Sequence, residues 1–382
     1  MAGHRSTEIA CTAHAVSVVL SRSTGVDSAD IAYQAQILPG VSRTFALTIP
    51  VLPERLAEVV TNAYLLCRIA DTIEDDVGLD NEQKSRFHER FIAVVEGREP
   101  AEAFAADLTP LLSDRVLPAE RDLIENTPAV IRVTHSFLPE ERAALTRCVR
   151  VMCAGMPEFA RNRSLKGLDD LDEMAAYCYY VAGVVGEMLT ELFILHCPEL
   201  ERHRERLMRL AVSFGQGLQM TNILKDIWDD RSAHACWLPR SVFKGEGFSL
   251  ERLEDGHLSS SFREGLNHLL GVAHAHLRNA LEYTCLIPKR EVGIRRFCLW
   301  AIGLAVLTLR KIHRNPHFRS GAEVKVSRRT VKATVLTTNL TLMSNRALRL
   351  MFERAAEGLP LVSLEPSAFD VRRLAAGRVD AG

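Results

Sequence analysis

The chain has 382 residues, of which 47% are hydrophobic and 25% charged; this suits one large domain or two ordinary ones and excludes disorder as the main state. Lysine plus arginine number 47 against 48 acids, a formal net charge of −1, so no global positive field exists to recruit nucleic acid. Nine cysteines, odd in number and without a Cys-x-x-Cys pair, argue against a disulfide framework or a zinc site and suit reduced thiols in the cytoplasm.

Residues 9–20 are fairly apolar, but Glu8 precedes them, His14 interrupts them and no small-x-small cleavage pattern follows, so no signal peptide is read there. Apolar residues recur at helical spacing over 54–73, 123–133, 140–156, 171–195, 206–227, 262–283, 292–312 and 329–352. Pro128 inside the second of these predicts a break or kink. Strand-like alternation is scarce, and Val324-Lys325-Val326 is read as a short extended piece. Proline and glycine punctuate the gaps and no Gly/Ser linker divides the chain. The expectation is an all-α bundle: an N-terminal extension over 1–30, one domain over 31–356 and a C-terminal tail over 357–382. The longest apolar run, 297–309, is too short to span a bilayer, and no membrane anchor is read after Leu359.

Two acidic patches carry the most chemistry. In the first, Asp71, Glu74 and Asp75 fall on one helical face at i, i+3, i+4; in the second, Asp226 and Asp230 are spaced i, i+4, with Asn222 and Gln219 on the two preceding turns. Like charges stacked this way cost a helix roughly 0.2–0.5 kcal/mol per pair. A solvated surface is the ordinary reading of one such patch. Two of them, each flanked by apolar helix, suggest facing walls that hold Mg²⁺, a cation that takes carboxylate oxygens together with substrate phosphates.

Other residues stand out beside them. Tyr177 and Tyr180 precede Gly183 and Gly186, each glycine costing a helix interior about 1 kcal/mol. Small-residue helix packing explains the glycines; a softened helix lining an apolar tunnel, with a phenol at its mouth, is the alternative. Arg43, after Ser42, and Arg68, one turn before Asp71, suit phosphate recognition, and an intrahelical pair between Arg68 and Asp71 is compatible with that role. Lys325, Arg328 and Arg329 form a basic cluster that composition alone makes a solvated surface. No Rossmann glycine fingerprint, P-loop, nucleophile elbow or His-Glu-x-x-His motif is present. The Glu254-x-x-His257 pair contains Gly256 and is a weak di-iron candidate.

Taken together and in this order, Ser42-Arg43-Thr44-Phe45, Arg68, the Asp71 patch, the segment 177–186 and Gln219-Met220-Thr221-Asn222 with Asp226 and Asp230 resemble the head-to-head prenyl synthases, the squalene and phytoene synthases. The resemblance runs from about Ile37 to Phe352. Within the family, Tyr177-Cys178-x-Tyr180-Val181-Ala182-Gly183, Phe297-Cys298 and the stretch 305–309 look more like squalene synthases. Two departures touch the reductive step: Ser327 stands where the family often has a basic residue, and Ala301-Ile302 replace a Pro-Gln pair of eukaryotic enzymes.

The resemblance implies a single isoprenoid synthase bundle around a central apolar cavity. It implies that two farnesyl diphosphates are condensed through presqualene diphosphate and reduced by NADPH to squalene. Asp71, Glu74, Asp75, Asn222, Asp226 and Asp230 would hold Mg²⁺. Ser42, Arg43, Arg68, Tyr180, Val181, Gly183, Gln219 and Asn222 would bind substrate, and Tyr177, Arg68 and Phe297 would serve catalysis. Lys325, Arg328, Arg329 and Asn222 would contact NADPH. A monomer or homodimer in the cytoplasm, with peripheral membrane contact open, is expected. The rivals are a dehydrosqualene, phytoene or presqualene diphosphate synthase that uses no hydride, and an inactive helical partner built on the same fold.

Overall fold

The computed structural model describes residues 27–42, 44–161, 163–243, 248–253 and 259–364. In the first half, α1 (Ser28–Val41), the one-turn α2 (Phe45–Thr48), α3 (Glu54–Asp75), α4 (Asn81–Val95), α5 (Ala101–Leu108), α6 (Pro118–Glu125), α7 (Thr127–Ser136) and α8 (Pro139–Arg161) follow one another through short turns. The second half runs through α9 (Leu171–Cys178), α10 (Val184–His196), α11 (Arg204–Lys225), α12 (Ile227–Ser232), α13 (Ser260–Leu286), α14 (Val292–Arg314), α15 (Gly321–Val324), α16 (Arg328–Thr341) and α17 (Asn345–Ala355). Among the described residues the one β pairing is an isolated bridge between Leu168 and Pro239. The buried apolar side chains make one contiguous core from Ile37 to Leu359.

The helix ends have local causes. Asp27 opens α1 by accepting from Ala29 N at 3.0 Å, and α4 begins on a reciprocal capping box between Asp80 and Gln83. Both helices lie where no apolar period was read. The segment expected at 123–133 splits at Asn126, and Pro128 sits at the start of α7, where its missing N–H costs nothing. The segment expected at 329–352 is two helices, because Ser344 caps α17 by accepting from Ala347 N at 3.2 Å. Val324 closes α15 and forms no strand. Residues 28–30, read as extension, already form the first turn of α1. Residues 1–26 and 365–382, with Glu254 and His257, lie outside the described residues.

Helix α11 runs through the middle of the bundle and packs on α10, α13 and α14. Glycines set its distance from α10 and from the turn that leads into it: a Cβ on Gly186 would stand 2.3 Å from Ala211 O, and one on Gly215 would stand 2.2 Å from Ala182 O. Close packing of two backbones therefore accounts for Gly186, the plainer of its two readings. The continuous run 171–196 passes through a π turn, Tyr179–Gly183, a distortion that often accompanies functional helices. This run and α14 are both long and apolar enough to cross a membrane, a correction to the reading of 297–309 alone; 61% of each apolar window is buried inside the bundle.

Candidate active site

The first acidic patch occupies the last turn of α3, where the helix dipole disfavours negative charge. Burial, and then Asp75, push the Asp71 carboxyl up to about 7. Burial pushes Glu74 to about 7 as well, against the pull of Lys84, whose ammonium donates to the Glu74 carbonyl. Asp75 is raised for the same first reason. Arg68 lies 3.9 Å from Asp71 and donates to Glu120 from the neighbouring α6. The expected intrahelical pair is thus present, and a second acid holds the guanidinium from the other side.

The second patch interrupts its own helix. Asp226 separates α11 from α12, with φ −101° and ψ 15°, although Asp230 N still donates to Asp226 O at 2.8 Å. Burial, then Asp226, raise Asp230 to about 7. Lys225 Nζ stands 2.9 Å from Asp226. The turn of α15 lies directly on this patch: Gly321 N donates to Asp229 Oδ2 at 3.2 Å, and a Cβ on Gly321 would come within 2.6 Å of Asp226 Oδ1. Glycine is needed there because only it lets the backbone approach the carboxylates so closely. The charge of Lys325, next along the chain, acts on Asp226.

The two patches face one another. Asp75 helps raise Asp230 across the gap, and Arg163, in the turn after α8, acts on Glu74, Asp75 and Asp230 alike. Tyr177 lies between the walls. Burial, followed by Asp75, Cys178, Asp230 and Asp71, lifts its phenol well above the ordinary value. Its ring stacks on Trp237 at 4.3 Å and 5° and meets Phe159 at 5.3 Å. Below it, Val181, Val185 and Leu189 form a half-buried stripe at i, i+4, i+8, joined by half-buried Phe214 and Leu218. Phe297 is buried in a row with Phe45 at 6.5 Å and Phe193 at 6.2 Å.

The remaining expected residues lie at various depths. Ser42 Oγ accepts from Phe45 N at 3.1 Å, and Tyr64 beside it donates to Val41 O at 3.2 Å. Arg43 lies outside the described residues. Tyr180 and Gly183 are buried, and the Tyr180 ring fills the space that a Cβ on Gly155 would need. Gln219 is half-buried and Asn222 exposed on the turns leading to Asp226; Arg328 and Arg329 open α16 in solvent. Sequence reading missed Arg163, Glu120 and Trp237, since no spacing links them to either acidic patch.

These residues fit a hard divalent cation. Glu74 Oε2 is buried without a hydrogen-bond partner, and five carboxylates are held ionisable in partly dry surroundings. Among the described residues no three metal-binding side chains close on a single point.

Comparison with known proteins gives a consistent picture. A model of the squalene/phytoene synthase family matches residues 38–330. A squalene synthase of Gibberella zeae is 28% identical over 83% of this chain and 64% of its own length. One from Botryococcus braunii is 30% identical over 85% of this chain and 66% of its own. The chain therefore spans about two thirds of the length of these relatives. A solved structure of TcSQS with the ligand BPH1237 superposes with a TM-score of 0.68 at 22% identity, covering 92% of this chain and 98% of that one. A dehydrosqualene synthase with ligand gives 0.61 at 23%, covering 83% and 97%. At such identities the likeness is one of fold, the all-α isoprenoid synthase bundle.

Proposed function

The chain belongs to the squalene/phytoene synthase family, and on that premise we propose that it condenses two farnesyl diphosphates head to head through presqualene diphosphate and then reduces that intermediate to squalene with NADPH. The observation that carries the reading is the meeting of two desolvated acidic walls across one tyrosine. Asp71, Glu74, Asp75, Asn222, Asp226 and Asp230 would hold Mg²⁺, which when bound neutralises a diphosphate and makes it a better leaving group. Arg68, and Arg163 from the turn after α8, place fixed positive charge beside the same carboxylates and would meet the remaining diphosphate oxygens. Ser42, Arg43, Gln219 and Tyr180 would complete substrate binding.

Tyr177 is a neutral phenol in this environment, so it would not abstract a proton as a free phenolate. It would act as a relay, passing its own proton to a released diphosphate oxygen while accepting one from the carbocation that closes to the cyclopropane. The stripe Val181, Val185 and Leu189, with Phe214, Leu218 and the Phe45–Phe297 row, would exclude the water that otherwise traps such a cation as an alcohol. Lys325, whose charge acts on Asp226 from the end of the α15 turn, with Arg328, Arg329 and Asn222, would orient the NADPH phosphate.

The test is incubation with farnesyl diphosphate and Mg²⁺, with and without NADPH, followed by extraction of products. Presqualene diphosphate without NADPH and squalene with it are expected. Absence of Mg²⁺-dependent diphosphate release would refute the reading. Ser327, in place of a basic residue beside Lys325, favours the second reading, a synthase that makes no use of hydride; products unaffected by NADPH would select it.

A further inference from the structure

We propose that the outward face of α16 and α17 is a docking surface for an anionic lipid bilayer. Thr338 of α16 and Leu348 and Phe352 of α17 are buried, and both helices pack on α14 and on each other. Arg296 of α14 fixes Asn339 with a 3.0 Å hydrogen bond. The residues turned half a revolution from that buried side are apolar and wet: Leu336 is 63% exposed, Leu340 79% and Leu350 64%; Met343, in the turn between the two helices, is 59% exposed. Lone exposed leucines need no explanation, whereas three on two adjoining helices, with a methionine in the turn that joins them, mark a contact surface.

Charge selects the occupant. Residues 330–355 hold four lysines or arginines, Lys332, Arg346, Arg349 and Arg354, and one acid, Glu353, which pairs with Arg278 at 3.3 Å; the whole chain carries −1. Lys332 precedes Leu336 by one turn, and Arg346 and Arg349 flank Leu350. A two-fold contact with a second copy would set these cations against themselves. Nucleic acid would leave the leucines in water. An anionic bilayer satisfies both, taking apolar side chains into the acyl boundary and cations to its headgroups. Lys325, Arg328 and Arg329 are not needed, so the inference stands apart from the proposed reaction.

The experiment is flotation of the purified chain with vesicles of phosphatidylcholine, alone or with about one third phosphatidylglycerol. Binding to the anionic vesicles, weakened by high salt, is expected. The triple variant Lys332→Gln/Arg346→Gln/Arg349→Gln should bind roughly a hundredfold more weakly, since each surface cation is worth about fivefold. The variant Leu336→Ser/Leu340→Ser should lose flotation with its melting temperature unchanged. A wild-type chain that stays in solution, or variants that float like it, would overturn the proposal. A wild-type dimer dissociated by Leu340→Glu would give the face to a second copy and overturn it too.

Discussion

Replacing Asp71 by Asn should stabilise the metal-free protein at pH 8. The Asp71 carboxyl, ordinarily ionising near 3.8, is raised to about 7 by burial and by Asp75. Between those values the native state binds a proton that the unfolded chain has released, so stability falls as pH rises through the window, and the penalty is complete above about 7. Three pH units set a ceiling of about 4 kcal/mol. The side chain is 29% exposed, so water screens the effect and we expect ~1–2 kcal/mol. For a chain of this size the unfolding entropy is about 0.8 kcal/mol/K, which converts to a rise of about 1–3 °C in melting temperature. The assay is thermal unfolding in EDTA at pH 8 and 5.5; the gain should shrink by about half at pH 5.5, where the wild-type group is mostly protonated. With Mg²⁺ and inorganic pyrophosphate the order should reverse, the wild type being stabilised and the variant not. A variant that melts lower at pH 8 without metal, or a gain independent of pH, would refute the reasoning.

Mg²⁺-dependent stabilisation of the wild type should itself grow as pH rises through about 7, because Asp71, Glu74 and Asp230 must lose protons to bind the cation; a flat profile between pH 6 and 8 would count against the site. Arg163→Gln removes a charge that favours ionised Glu74, Asp75 and Asp230, so the midpoint of that profile should move to higher pH. Lys325→Ala should raise the NADPH concentration needed for squalene while sparing presqualene diphosphate formation; an unchanged NADPH dependence removes Lys325 from that role. Gly215→Ala forces a methyl to 2.2 Å from Ala182 O and should cost about 1–3 kcal/mol, read as a lower melting temperature.

Much of this protein is written in local pattern. Period 3.6 marked the long core helices, and i, i+3, i+4 spacing put Asp71, Glu74 and Asp75 on one face of α3, because both depend only on neighbours within two turns. Helix α4 escaped notice since its apolar positions begin only at Phe87, and α5 since eight residues are too few to show a period. The break at Asp226 was equally invisible, as no proline or glycine announces it; the α15 turn pressing Gly321 onto that carboxylate is a contact across 95 residues of chain. Packing decided the glycines too: of the two readings open for Gly186, helix packing or a softened tunnel wall, Ala211 O lying against it selects the first. Most of all, the sequence shows two acidic patches, and only the tertiary structure decides that they face each other. Their mutual field, the charge of Arg163 and the position of Tyr177 between them arise from helices 150 residues apart, and no spacing along a chain encodes the low dielectric that makes those charges matter to one another.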